Sequence, residues 1–97
     1  MASLFEWDET KRLANLFKHG GDFVDALEVF ADPLRVERLD QRREYPEVRR
    51  QVVGIIRGQM LFVVYTCRGE VRRLISARRA SSDERKAYHT RGGRAGR

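Results

Sequence analysis

Residues 60–78, MLFVVYTCRGEVRRLISAR, form the only long apolar, β-branched run in the chain and lead straight into its densest cationic segment. Met60 to Thr66 is rich in Val, Phe and Tyr and nearly free of charge, the composition of a strand buried on both faces. Arg68-Gly69 supplies a turn residue that accepts positive φ, and Val71 to Ala77 returns as a second strand. Upstream, Val52 to Arg57 reads as a further strand, joined through Gly58-Gln59 with glycine first, as a type II′ turn requires. Together these segments predict a three-strand antiparallel meander.

Alternation along a regular third strand sends Arg73, Ile75 and Ala77 to one face and Arg72, Leu74, Ser76 and Arg78 to the other. Both faces then mix guanidinium with apolar groups, whereas an ordinary exposed strand keeps its cations on one side. Tyr65 lies near the end of the neighbouring strand, so a phenol and several guanidinium groups converge on a candidate anion-binding surface. Guanidinium matches phosphate oxygens bidentately and keeps its charge.

Ninety-seven residues make one domain, and a chain of this size buries only roughly 60 to 65% of its unfolded surface. The stability margin is correspondingly small, and a partner would raise it by mass action. The net charge is +6, but it is unevenly spread: residues 1–50 carry 9 Lys+Arg against 11 Asp+Glu, and residues 51–97 carry 11 against 3. A cationic half of this kind favours nucleic acid or another polyanion, because each phosphate contact releases counterions. Cys67 is the single cysteine, which rules out an intramolecular disulfide and a thiolate zinc cluster and fits a reducing cytoplasm. No basic leader with an apolar run opens the chain, and no apolar stretch approaches the roughly 18 residues that span a bilayer. A cytoplasmic protein without membrane contact is expected.

Leu4 to Trp7 reads as a short edge strand. Asp8 is an N-cap, Leu13, Leu16 and Phe17 recur at helical spacing, and Lys18-His19 before Gly20-Gly21 gives a cationic last turn with a glycine stop. A second helix starts at Asp22, carries Phe23, Ala26, Leu27 and Phe30 as a stripe, and ends at Asp32-Pro33. Leu34 to Leu39 alternates as a half-exposed strand. Asp40 to Arg50 is charged, interrupted by Pro46 and aperiodic; it reads as a solvated loop whose arginines are within reach of a ligand. Ser81 with Glu84 forms a capping box that starts a short helix to about His89, and residues 90–97 read as a disordered basic tail. The domain therefore spans residues 1–89.

Several of these segments resemble the BrnT toxins, the ribonuclease half of bacterial BrnT-BrnA toxin–antitoxin modules. The matching residues are FEWDETK at 5–11, NLFKHG at 15–20, Phe23 to Pro33 with its F-x-D-P end, VVYT-x-RG at 63–69, and RLISARRA at 73–80; ERKAY at 84–88 falls where the family has its terminal helix. The resemblance implies an α+β, RelE-like fold: a small twisted antiparallel sheet of about four strands, packed against two N-terminal helices, with a short C-terminal helix. It also implies cleavage of RNA without a metal or other cofactor, arrest of translation, and a BrnA-like antitoxin with a ribbon-helix-helix domain. The heterotetrameric complex would bind its own promoter DNA.

Metal-free cleavage uses the ribose 2′-OH as nucleophile, with a base for its proton, an acid for the leaving 5′-oxygen and cations for the phosphorane charge. On the resemblance and on their place in the third strand, Arg73 and Arg78 are the candidates for binding phosphate. Lys18 and His19 are candidates for proton transfer, histidine being the side-chain type that titrates nearest neutrality. Tyr65 stacks on a base or donates to phosphate, and Trp7, Arg57, Arg72 and Arg79 are candidate RNA contacts. Each has a plainer reading beside it: His19 as a helix-end cap, Tyr65 and Trp7 as core aromatics, Arg73 and Arg78 as partners of carboxylates such as Glu70 or Glu84. The alternative function is a non-catalytic basic module that grips RNA, DNA or its partner. If an antitoxin is present, Arg73 and the neighbouring sheet face are where it is expected to sit.

Overall fold

The computed structural model describes residues 4–95. The apolar run becomes the middle of a sheet: β4 (Gln59–Arg68) lies antiparallel between β3 (Arg49–Ile56) and β5 (Val71–Arg79). Every residue from Met60 to Thr66 is buried, as a central strand covered on both faces requires. β2 (Val36–Leu39) pairs antiparallel with β3, and β1 (Leu4–Glu6) pairs with β5, giving the order β1-β5-β4-β3-β2.

The sheet is thus five-stranded and mixed, where an antiparallel sheet of about four strands was expected, because β1 runs parallel to β5. No hairpin dictates the direction of so short a strand. Its register sets Glu6 beside Arg73, joined by a 2.8 Å ion pair, and Phe5 5.3 Å from Phe30. The β3–β4 turn is Arg57-Gly58, not Gly58-Gln59: the register Ile56↔Gln59 leaves those two residues between the strands, and both have positive φ (+48° and +82°), as in a type I′ hairpin.

The first helix, α1 (Glu9–His19), is capped by Asp8, whose carboxylate accepts from the Lys11 N–H, and stops at Gly20 (φ +73°). The segment expected as one helix from Asp22 divides into α2 (Phe23–Ala26) and a 3₁₀ turn (Leu27–Ala31). The three residues it buries completely, Phe23, Ala26 and Val29, recur every third position, the period of a 3₁₀ rather than an α-helix. They join Val52, Leu61, Val63, Leu74 and Ala77 in the larger core on this side of the sheet. On the opposite side Val53, Met60, Phe62 and Val64 gather around Tyr88.

Tyr88 belongs to α3 (Ser82–Ala95), which opens on the reciprocal Ser81–Glu84 capping box. The helix takes in Thr90 to Ala95, beyond the end near His89 that its apolar content suggested; Gly96 and Arg97 of the expected tail lie outside the described residues. Asp32 ties it down, accepting from the Tyr88 hydroxyl at 2.8 Å and from the Ile55 N–H at 2.8 Å. Burial pushes the Asp32 carboxyl up, but the Ile55 and Leu34 N–H groups and Tyr88 outweigh it and hold it below the usual range; burial and Asp32 push the Tyr88 phenol up to about 12.

Asn15 decides how α1 is seated. β1 pairs only with residues 71–73, so the far half of β5 has a free edge. There Asn15 takes the place of a neighbouring strand: its Nδ2 donates to the Ala77 carbonyl at 2.7 Å and its Oδ1 accepts the Ala77 N–H at 3.2 Å. The same Nδ2 donates to the Gly21 carbonyl. The Leu13, Leu16 and Phe17 stripe faces outward instead, with Leu13 52% and Phe17 95% exposed.

Candidate functional site

The register of β5 shifts between Val64↔Ser76 and Tyr65↔Leu74, so Ile75 is the extra residue of a β-bulge. In a regular strand Arg73 and Arg78, five positions apart, point to opposite faces. The bulge restores them to one face, the side away from α1 and α2, at a separation of roughly 15 Å. Arg73 sits beside Thr66, and Arg78 lies 4.1 Å over the ring of Phe62; Thr66, Val64 and Phe62 alternate along that same face of β4.

A row of guanidinium groups follows. Arg73 and Arg68 approach Glu6 at 2.8 and 3.8 Å. Arg78 holds Glu84 bidentately, both bonds 2.8 Å, which is one of the carboxylate pairings open to it from the sequence. Arg42 lies 5.5 Å from the centre of the Phe62 ring and binds Asp40. Arg49 lies 4.1 Å over Tyr45 and binds Glu47. Hydrogen bonds from Arg42 hold the Asp40 carboxyl far below the usual carboxylate range against the opposing effect of burial, and Gln51 adds to them. Burial would raise Glu84, but Arg78 and Ser81 lower it on balance. Asp40 and Glu84 therefore stay ionised and fix Arg42 and Arg78, whose guanidinium groups approach the Phe62 ring.

Tyr65 and Arg72 meet on the opposite face, against Phe30 of the 3₁₀ turn. The Tyr65 hydroxyl donates to Glu37, which also binds Arg35 at 2.7 Å, and Arg72 lies 4.5 Å over Phe30 and 5.7 Å from the Tyr65 ring. Burial first, then Glu37, pushes the phenol up to about 12. Tyr65 is 2% exposed and Phe30 stands edge-on to it, so its ring has no open face for a base. Its hydroxyl orients Glu37, a residue the sequence reading passed over because it looked like one charge in an alternating strand.

His19 and Arg79 come together in a third place. They line a cleft of about 170 Å³ with Asp22, Asp25, Gln59 and Leu61, where the end of α1 meets the end of β5. Lys18 is exposed on the same helical turn. Arg57 is drawn to Glu28, and Trp7 is held edge-on to Phe23 at 6.4 Å with its Nε1 donating to Glu9. Seven of the nine candidates thus fall at three places, Arg57 and Trp7 stand apart from all three, and the nine are not gathered into one pocket. Asp40, Arg42 and Phe62 were not singled out: the first two lie in a charged stretch without periodicity, and Phe62 reads as core until two guanidinium groups are seen to lie over it.

Among the described residues no three His, Cys, Asp or Glu side chains come together in a way that could hold a metal ion. Among the described residues no helix is long and apolar enough to cross a membrane. The fold and the arginine row define a small α+β protein with a band of carboxylate-paired guanidinium groups along the sheet face that α3 partly covers. The family described as ribonuclease toxin, BrnT, of type II toxin-antitoxin system matches residues 7–84, and the chain belongs to that family. It is therefore a toxin with ribonuclease activity, whose substrate is RNA and whose partner is a cognate antitoxin. Among curated proteins none shows significant similarity to it.

Proposed function

We propose that this toxin is an endoribonuclease that cleaves RNA by attack of the ribose 2′-OH without a metal, at the C-terminal end of β5, and so arrests translation. The observation that carries the placement is that His19 and Arg79 share one cleft at the strand end where Arg78 occupies the adjoining face. A phosphate straddling this edge meets Arg78 on one side and Arg79 on the other, and Arg73 extends the track along the face of Arg78. Arg72 serves the RNA from the other face. Trp7 and Arg57 lie outside the path, and Tyr65 is a positioning residue for Glu37.

In the proposed reaction the 2′-OH proton passes to a base, the 2′-oxygen attacks phosphorus, the bond to the 5′-oxygen breaks and that oxygen takes up a proton. The products are a 2′,3′-cyclic phosphate and a 5′-hydroxyl. His19 and Lys18 carry the protons, imidazole being suited to both directions near neutral pH. The guanidinium groups take the charge that grows on the phosphorane, the task a metal performs elsewhere. The antitoxin in this reading is BrnA-like, with a ribbon-helix-helix domain, and its heterotetrameric complex with the toxin binds the operon's own promoter.

His19→Gln in purified toxin is expected to lower the cleavage rate at least about 100-fold while RNA binding stays close to wild type. Cleavage at the wild-type rate would remove His19 from the mechanism. Binding lost together with cleavage would instead make it a phosphate contact.

A further inference from the structure

The cleft at the end of α1 is lined by opposite charges that have not closed on each other. His19 stands on the last turn of α1, Asp25 on α2, Gln59 at the first position of β4 and Arg79 at the last of β5; all four are exposed and line the same space of about 170 Å³. Gly21 permits the arrangement. A methyl group there would stand 2.8 Å from the Ala77 carbonyl oxygen, so the chain between the helices passes close enough to β5 to bring Asp22 and Asp25 up to the strand end. Asp22 is taken up by the frame, accepting from Arg12 at 3.0 and 3.1 Å and from the Val24 N–H at 3.0 Å. Asp25 has no such partner: neither it nor His19 nor Arg79 has an ion pair among the described residues.

A carboxylate left open beside a phosphate-binding edge repels the phosphate and needs a donor from the rest of the nucleotide. Size narrows the choice. The cleft is well under the roughly 300 Å³ at which sites for drug-sized ligands begin, and the nearly buried Leu61 gives it an apolar wall. It therefore takes one planar ring and leaves the phosphate at the mouth. Single-stranded RNA offers its bases in this way, splayed out and read along their Watson–Crick edges. On that edge only guanine sets two N–H donors, N1 and N2, side by side for the two oxygens of one carboxylate. Adenine and cytosine place a ring-nitrogen acceptor beside their amino group, and uracil flanks its one N–H with two carbonyls, so each brings a lone pair against the carboxylate. The remaining group on guanine's edge is the O6 acceptor, for which the Gln59 amide is a neutral donor. An amide beside the carboxylate has a task on a base edge and none in moving a proton.

We propose that this cleft takes a guanine base of the RNA, with Asp25 accepting from N1–H and N2–H and Gln59 donating to O6, so that the toxin cleaves on the 3′ side of guanosine. The proposal rests on the placement of the reaction at the end of β5 given above and adds the base that the site selects. With the base inside, its ribose lies at the mouth beside His19 and Arg79, so the 2′-OH that attacks belongs to the selected nucleotide.

The test uses purified full-length toxin, freed of antitoxin, and naked synthetic RNAs of uridine that carry one guanosine, inosine, adenosine or cytidine. Inosine keeps N1–H and O6 and lacks only the N2 amino group. Cleavage after guanosine, leaving a guanosine 2′,3′-cyclic phosphate end, is expected to be at least about tenfold faster than after adenosine, cytidine or uridine, and at least about fivefold faster than after inosine. In Asp25→Asn the ratio of guanosine to inosine cleavage is expected to fall to about one, with guanosine cleavage losing far more than uridine cleavage and with the thermal midpoint unchanged, since the side chain is exposed. Gln59→Leu is expected to slow cleavage after guanosine and inosine by equal factors, because both carry O6. Equal wild-type rates after guanosine and inosine overturn the base assignment and leave the placement of the reaction standing. An equal loss at every base in Asp25→Asn makes Asp25 a proton-transfer group and overturns the assignment as well. Failure of the wild type to cleave any of these RNAs overturns the placement beneath the proposal and the proposal with it.

Discussion

Replacing Asn15 by leucine tests the seating of α1 on the sheet edge. Leucine makes no hydrogen bond in place of the amide, so Ala77, fully buried, loses partners for both its N–H and its carbonyl, and the Gly21 carbonyl loses one donor. A buried polar group left unsatisfied costs about 1–3 kcal/mol, so the two Ala77 groups together cost about 2–6 kcal/mol, reduced by about 1 kcal/mol for the added apolar burial. The expected loss is about 3 kcal/mol, a large share of the about 5–15 kcal/mol available to a domain. Urea unfolding should show the midpoint falling by about 1–3 M with the slope unchanged. Phe17→Ser on the outward face of the same helix should change stability by no more than about 0.5 kcal/mol. If Asn15→Leu is as stable as wild type, the amide is not what holds the helix to β5. If Phe17→Ser costs more than Asn15→Leu, the two faces of α1 have been exchanged.

Two further substitutions probe other parts of the frame. Folding lowers the Asp40 carboxyl, chiefly through Arg42, so its contribution is fully present above the ordinary aspartate value of about 3.9 and fades as the pH falls through the lower folded value. Asp40→Asn should therefore be less stable by about 1.5–3 kcal/mol at pH 7, with the gap to wild type narrowing below about pH 4; an equal gap at pH 3 and pH 7 in thermal unfolding contradicts this. Gly54→Ala should cost about 1–3 kcal/mol, because the added methyl meets a Val29 methyl at 2.9 Å and the Val29 carbonyl oxygen at 3.2 Å. A calorimetric midpoint equal to wild type would show that the 3₁₀ turn moves aside freely.

Local signals in the sequence carried furthest where the physics is local. Asp8, Gly20 and the Ser81–Glu84 box fix helix ends through bonds to their own neighbours, and the meander follows from the burial pattern of Met60 to Thr66. What escaped depends on contacts across the chain. Periodicity shows that α1 has an apolar side but not which side meets the sheet; the inward residue is the lone polar Asn15, whose partner is sixty-two positions away. The bulge at Ile75 leaves no mark in composition, yet it decides that Arg73 and Arg78 share a face. The parallel direction of β1 rests on Glu6 meeting Arg73, and Asp40 looked solvated because its buried place depends on Arg42 and Gln51 closing over it.

The most direct test of the central claim is cleavage of naked, end-labelled RNA by antitoxin-free toxin in excess EDTA, with Arg78→Ala and Arg73→Ala purified alongside. The wild type is expected to cleave and to leave 2′,3′-cyclic phosphate ends. Arg78→Ala is expected to lose cleavage, and Arg73→Ala to bind RNA more weakly with a shallower salt dependence. Wild-type RNA left intact, or cleavage that requires a divalent cation, would contradict it.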